Sequence, residues 1–180
     1  MRAPNGLRGL TDSLDYGGSC ARGSAIAFNR KPLERQRVGF AQVEVGVVHH
    51  SEGYEVEADE ARQMSAMWDP FDFHLDNESA EASVFAEASA SGVHTLAITN
   101  LLAHYTGPQY DVLALLGARY RLPSPAKVGD TLVLTKEIAE ARPSNSRPGH
   151  GIVTWKNTVS NQDGEIVLEQ TATTLVGPGR

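Results

Sequence analysis

Asp69 and His74 lie five residues apart in the run Trp68-Asp69-Pro70-Phe71-Asp72-Phe73-His74-Leu75-Asp76. A carboxylate and an imidazole aimed at one point can hold a water molecule and pass its protons near neutral pH. Pro70 stiffens the loop between them and removes a backbone donor. Eighteen residues beyond His74, Gly92 follows Ser91 and opens a long apolar stretch. A glycine at a helix start lets a carbonyl oxygen approach bare N–H groups, where the aligned backbone dipoles favour developing negative charge. A water-handling pair and an oxyanion site thus come from one stretch of chain.

The surrounding elements must aim these groups. Residues 40–48 read as a strand and residues 53–56 as a short extended piece. Residues 59–68, with acids in the first turn, read as a helix that delivers the chain to Asp69. The Ala/Glu/Ser-rich residues 77–88 read as a second short helix with Asn77 as its N-cap. Gly92–Tyr105 carries apolar residues on more than one face, as in a helix buried on most sides. Four stretches rich in Val, Ile, Thr and Leu follow: 110–122, 131–141, Gly151–Ser160 and Ile166–Val176, separated by Pro/Gly/Asn/Asp turns. One long helix followed by an antiparallel meander predicts an α+β domain whose sheet wraps the helix.

Composition narrows the function classes. A chain of 180 residues with 41% hydrophobic residues buries a real core. A net charge of -6 argues against a general nucleic-acid or membrane-surface binder, because polyanions need a basic face. The single cysteine, Cys20, cannot form an internal disulfide, which fits a reducing, cytoplasmic setting. No apolar run approaches the roughly 18 residues needed to span a bilayer. Residues 1–37 are rich in Gly, Arg and Ser and carry about +4 against about -10 for the remainder; they read as a flexible N-terminal extension to a domain over 38–180.

The run from Trp68-Asp69-Pro70 to Phe73-His74-Leu75-Asp76, followed by Ala90-Ser91-Gly92-Val93-His94-Thr95, resembles the MaoC-like acyl dehydratases of the hotdog fold, which include the (R)-specific enoyl-CoA hydratases. Pro125-Ala126-Lys127-Val128-Gly129-Asp130-Thr131-Leu132 is similar to the family's Pro-x-x-x-Gly-Asp-x-Leu lead into a core strand. The segments Ser144-Asn145-Ser146-Arg147-Pro148 and Asn161-Gln162-Asp163-Gly164 look like its closing hairpins. The resemblance covers about residues 38–176. It implies a long central helix wrapped by a curved antiparallel sheet, and an acyl-CoA substrate hydrated or dehydrated across C2–C3. It also implies Asp69 and His74 as the catalytic pair, the Gly92 N–H as donor to the thioester carbonyl, no cofactor beyond the CoA carrier, and a homodimer with the acyl chain between subunits. One departure stands out: Phe71-Asp72 fills a place where the family commonly has a proline. Asp72 is expected to face solvent, since a second buried carboxylate is costly unless paired.

Other residues have plainer readings. Ser91, Phe71 and Phe73 are candidate substrate contacts by their position beside the site, and Arg142 and Arg147 flank a turn from which they could reach CoA phosphates. Turn arginines are more commonly solvated. His94 reads as packing or support, Trp155 as sheet packing, and the adjacent strand residues His49 and His50 point to opposite faces and do not make a metal site. Two other functions compete: a hotdog thioesterase, disfavoured because no Asp or Glu lies between Gly92 and His104, and a non-catalytic acyl-CoA-binding subunit.

Overall fold

The computed structural model describes residues 36–180. The α-helices are α1 (Ala58–Trp68), α2 (Asp72–Leu75), α3 (Asn77–Glu81) and α4 (Gly92–Tyr105). The strands are β1 (Val48–His50) and β2 (Tyr54–Glu55) before the helices, then β3 (Val112–Arg121), β4 (Thr131–Pro143), β5 (Gly151–Ser160) and β6 (Ile166–Val176). They form an antiparallel sheet in the order β1-β4-β5-β6-β3, with β2 also paired to β4. This is the α+β arrangement that one long helix followed by an antiparallel meander predicts, and the hotdog fold that the resemblance implies.

The sheet curls around α4. On β4 and β5 buried residues alternate with less buried ones, so every second side chain faces the helix. One core cluster gathers Leu132, Leu134, Val159 and Leu168 against Ile98 and Leu102 of α4. A second, of Ile138, Val153, Trp155 and Val176, lies toward the other end of the strands. The helix buries hydroxyls as well, and each is satisfied within the helix: Thr95 donates to the Ser91 carbonyl at 3.0 Å and Thr99 to the Thr95 carbonyl at 2.8 Å.

Two expected elements differ. Residues 40–48 are not one strand: Phe40–Gln42 form a 3-10 turn, and only Val48–His50 pair with β4. Tertiary packing decides this, because Gly39 lies so close to the Pro178 backbone that a Cβ would meet its carbonyl at 2.0 Å, and the Phe40 ring covers Gly151. The helix expected over 77–88 stops at Glu81 and is capped one residue earlier than Asn77, by Asp76, whose carboxylate accepts from the Ser79 N–H at 3.1 Å. Beyond it the Ser83 hydroxyl bonds the Ala80 carbonyl, and Ala86 takes a left-handed φ of 57°, a bend that helix propensity does not foresee. The strand expected over 110–122 pairs over Val112–Arg121.

The expected extension, residues 1–37, lies outside the described residues except for Gln36 and Arg37. Arg37 joins the fold: its N–H donates to the Arg180 carbonyl at 2.6 Å, and its side chain bonds Gln109. Among the described residues no group of His, Cys, Asp or Glu is placed to hold a metal, and no helix is long and apolar enough to cross a membrane. His50 bonds the Thr135 hydroxyl at 3.1 Å, and the His49 ring packs over Gly107.

The contact between Phe40 and Gly151 leaves no space for a methyl group, with the ring 2.0 Å from an ideal Cβ. Gly151→Ala therefore destabilises the domain by about 1–3 kcal/mol, as overpacking does. Denaturant unfolding of the variant beside the parent protein checks this.

Candidate active site

The chain turns sharply at Asp69 because a residue before proline is pushed out of the helical region. Asp69 ends α1 with φ -154° and ψ 64°, while its N–H still donates to the Ser65 carbonyl. Pro70 then leads into the single turn of α2, where the His74 N–H bonds the Phe71 carbonyl at 2.9 Å. The two side chains converge: His74 Nε2 lies 4.0 Å from Asp69 Oδ2. Both are largely shielded, with 8% of the histidine side chain and 23% of the aspartate exposed.

The second ring nitrogen fixes the tautomer. His74 Nδ1 sits 3.3 Å from the Ser89 carbonyl oxygen, which can only accept, so Nδ1 carries a hydrogen. In the neutral ring Nε2 then has a free lone pair facing the Asp69 carboxylate. Two acceptors 4.0 Å apart are too far for a direct hydrogen bond and suit a water that donates one hydrogen to each. Phe73 packs on the His74 ring at 4.5 Å between centroids, Phe85 lies at 6.5 Å, and Phe71 stacks on Phe73 at 5.4 Å.

The N-terminus of α4 faces the same place. The segment before it pairs with the segment before β4: the Ala90 N–H donates to the Ala126 carbonyl at 2.8 Å, and the Val128 N–H to the Ala88 carbonyl at 3.0 Å. Fully buried Ser91 caps the helix, its hydroxyl accepting from the His94 N–H at 3.2 Å. The Gly92 N–H, in the first turn, has no acceptor within the helix. Gly92, His74, Phe85, Thr95, Leu122 and Pro123 line a cavity of about 220 Å³. A Cβ on Gly92 would come within 2.9 Å of the Leu122 side chain, so glycine also keeps the cavity open there.

Residues 43–170 match the FAS1-like, dehydratase domain region. The chain belongs to the MaoC-like dehydratase family. The MaoC-like dehydratase from Rhodospirillum rubrum is 34% identical, with a TM-score of 0.73 over 78% of this chain and 97% of that one. A monoamine oxidase regulatory protein from Archaeoglobus fulgius is 25% identical, with a TM-score of 0.71 over 81% of this chain and 97% of the other. The R-hydratase PhaJ1 from Pseudomonas aeruginosa is 25% identical, with a TM-score of 0.67 over 79% of this chain and 87% of that one. Comparison with curated proteins finds no match.

Within this MaoC-like fold, the residues expected at the site do not all gather there. Asp69 meets His74, and His74 shares a cavity with Gly92, but the Ser91 hydroxyl is committed to capping α4. Phe73 supports the His74 ring, and Phe71 is 58% exposed on its outer side. Asp72 is exposed in the first turn of α2, as expected. Arg142 pairs with Ile152 near the far end of β4, and Arg147 lies in the turn beyond. Thr135 and Thr158 share the end of the sheet that holds Glu169 and Arg121, next to Leu122. Arg142 is seven residues further along β4, roughly 23 Å at strand spacing. Within one chain these arginines do not join the pair, because a long strand separates its two ends. Phe85 and the Leu122-Pro123 corner were not foreseen; Phe85 sits in the stretch read as helix, where nothing marks it as inward-facing.

His94 is 2% exposed, with Nε2 3.8 Å from Glu60 Oε1, too long for a hydrogen bond. Burial holds its pKa below 6.5, with the Glu60 carboxylate opposing part of the effect. The unfolded chain takes up a proton as pH falls through 6.5 while the folded chain resists, so stability is full above that pH and declines below it. Burial lowers His49 and His104 in the same direction. The thermal midpoint is therefore expected to fall between about pH 7.5 and pH 5.5, and His94→Gln to flatten part of that fall. Melting curves across this range for both proteins provide the check.

Proposed function

We propose that this chain is a hydro-lyase that adds water to a trans-2-enoyl-CoA to give the (R)-3-hydroxyacyl thioester, and runs the reverse dehydration. The observation that carries the reading is the 4.0 Å gap between His74 Nε2 and Asp69 Oδ2, with His74 lining one cavity together with Gly92 at the start of α4. A water bridging the two acceptors presents its oxygen to C3 of the bound enoyl group. His74 Nε2 is free to take the proton that this water loses, because Nδ1 is held by Ser89. The Gly92 N–H, at the positive end of α4, meets the thioester oxygen as charge develops there in an enolate-like transition state. The proton that completes addition at C2 comes from the same pair. The name of the Pseudomonas R-hydratase supports this class of reaction.

A homodimer completes the reading. All ten residues of β3 are exposed, among them Leu113, Leu115, Leu116 and Tyr120, although an unpaired apolar edge invites pairing. Val93, Ala97, Asn100 and His104 form an exposed stripe along one face of α4. A second copy meeting β3 edge to edge about a two-fold axis would extend the sheet and cover both surfaces.

A regulatory or acyl-binding role is the second reading, favoured by the name of the Archaeoglobus relative. Turnover separates the two. Asp69→Asn and His74→Ala are each expected to lower kcat for 2-enoyl-CoA hydration by at least about a hundredfold with the fold intact. The assay follows loss of the conjugated thioester absorbance, with free CoA measured in parallel to detect thioesterase action. Parent-like rates in either variant would sink the mechanism. Sedimentation velocity is expected to show a dimer, and Val93→Glu on α4 to shift it toward a folded monomer.

A further inference from the structure

A polar belt crosses the concave face of the sheet between the two apolar clusters. Lys136 of β4 pairs in register with Asn157 of β5, and Asn157 with Gln170 of β6. All three are buried, at 8%, 4% and 6% exposure, although positions facing a helix through a sheet are normally apolar. They line a cavity of about 440 Å³ whose remaining wall includes Trp155, Val112 and Leu115.

Helix capping accounts for only part of this belt. Lys136 Nζ donates to the Ala103 carbonyl at 2.8 Å and, at 3.4 Å, to that of Thr106, closing the C-terminal end of α4, and it lies 4.7 Å from the centre of the Trp155 ring. An ammonium has three donors, so one remains. Among the described residues no carboxylate forms an ion pair with it, and burial alone lowers its pKa to about 8. Asn157 Nδ2 donates to Gln170 Oε1 at 2.8 Å, which leaves Asn157 Oδ1 buried without a partner. Exchanging oxygen and nitrogen in both amides keeps that bond and still leaves one amide NH2 and one carbonyl free. Arg37 and Arg180 also line the cavity, against a single carboxylate, Asp111, which faces Arg180 at 3.4 Å. An unpaired buried cation beside a spare amide donor matches a carboxylate ligand, which accepts from both.

The cavity's place relative to the proposed dimer decides what that ligand is. It touches β3 at Val112 and Leu115, whereas the His74 and Gly92 cavity touches the other end of the chain's edge at Leu122. Two β3 strands pairing antiparallel about their middle lay Leu122 of one copy beside the partner's Val112. They likewise bring the start of one α4 toward the end of the other. In such a dimer the cavity of His74 and Gly92 in each chain would open toward the belt-bearing cavity of its partner.

We propose that the substrate is an acyl thioester whose far end carries a carboxylate, held by the partner's Lys136 and the partner's Asn157 and Gln170 amide pair. This rests on the hydratase reading above and gives its substrate class. The apolar wall holds the chain's methylenes, and the belt discriminates against an alkyl end, which would leave buried polar groups unpaired.

The test compares but-2-enedioyl-, hex-2-enedioyl- and oct-2-enedioyl-CoA with the alkyl-ended 2-enoyl-CoAs of equal length. At one length or more, kcat/KM is expected to favour the carboxylate-ended thioester by at least about tenfold, and Lys136→Met to abolish that preference by lowering kcat/KM for the carboxylate-ended thioester at least about tenfold more than for the alkyl-ended one. Equal rates for both classes at every length, or a parallel fall for both in Lys136→Met, would overturn the proposal. Gln170→Leu replaces Lys136→Met should the latter fail to fold. If no thioester is turned over, calorimetric titration with adipoyl-CoA and hexanoyl-CoA still decides: tighter adipoyl-CoA binding that Lys136→Met removes upholds the carboxylate site while the hydratase reading falls. Indistinguishable binding ends the proposal.

Discussion

Burying α4 inside the curl of the sheet is the constraint from which the rest of this structure follows. The helix presents His94, Thr95, Ile98, Thr99 and Leu102 to the interior, and the strands must bend around it to cover them. A buried helix leaves unsatisfied N–H groups at one end and carbonyls at the other, each with its share of the dipole. The chain meets both ends with chemistry. At the N-terminus Ser91 takes one N–H and Gly92 leaves another open to a cavity. At the C-terminus Lys136 closes the carbonyls of Ala103 and Thr106, and the Thr106 hydroxyl bonds back to Leu102.

Placing the N-terminus of α4 takes a chain of turns far from it in sequence. Gly129, at φ 90°, lets Asp130 fold back so that its carboxylate accepts from the Lys127 N–H at 2.9 Å. The other oxygen of Asp130 accepts from Gln162 Nε2 at 3.0 Å, and the Asn161 side chain accepts from the N–H groups of Asp163 and Glu165. Two loops separated by a full hairpin are thereby locked together. Asp130 also holds Val56 through its backbone carbonyl, so the start of α1 is set from the same point. Residues 126–128, anchored by this turn, then pair with 88–90 and aim Gly92. The Gly-Asp and Asn-Gln-x-Gly motifs act on the site through this linkage, without touching it.

The local part of the site was readable because it is made by local rules. A residue before proline leaves the helix, so Asp69 stops α1, and five residues suffice to bring His74 round in a single turn. A serine before a glycine and an apolar run marks the start of α4, and the cap is where that pattern puts it. The strands β4, β5 and β6 were legible from their β-branched residues and turn signals, since long strands buried on one face keep a period of two. Residues 40–48 and 77–88 were misread for a common reason. Their local preferences are overruled by contacts with Pro178, Gly151 and the His74 ring, which lie far along the chain or depend on the bend at Ala86.

The sequence by itself determined the α+β class, the pairing of Asp69 with His74 and the helix start at Gly92, because each depends on residue type at short spacing. The tertiary structure alone decided what surrounds them. That Ser89 fixes the His74 tautomer, that Phe85 backs its ring, and that Arg142 lies a strand length away all depend on how distant segments pack. Lys136, Asn157 and Gln170 are the clearest case: each is one of several polar residues in its strand, 13 to 34 positions from the others. Only strand register, set by side chains across the whole sheet, brings them into one row.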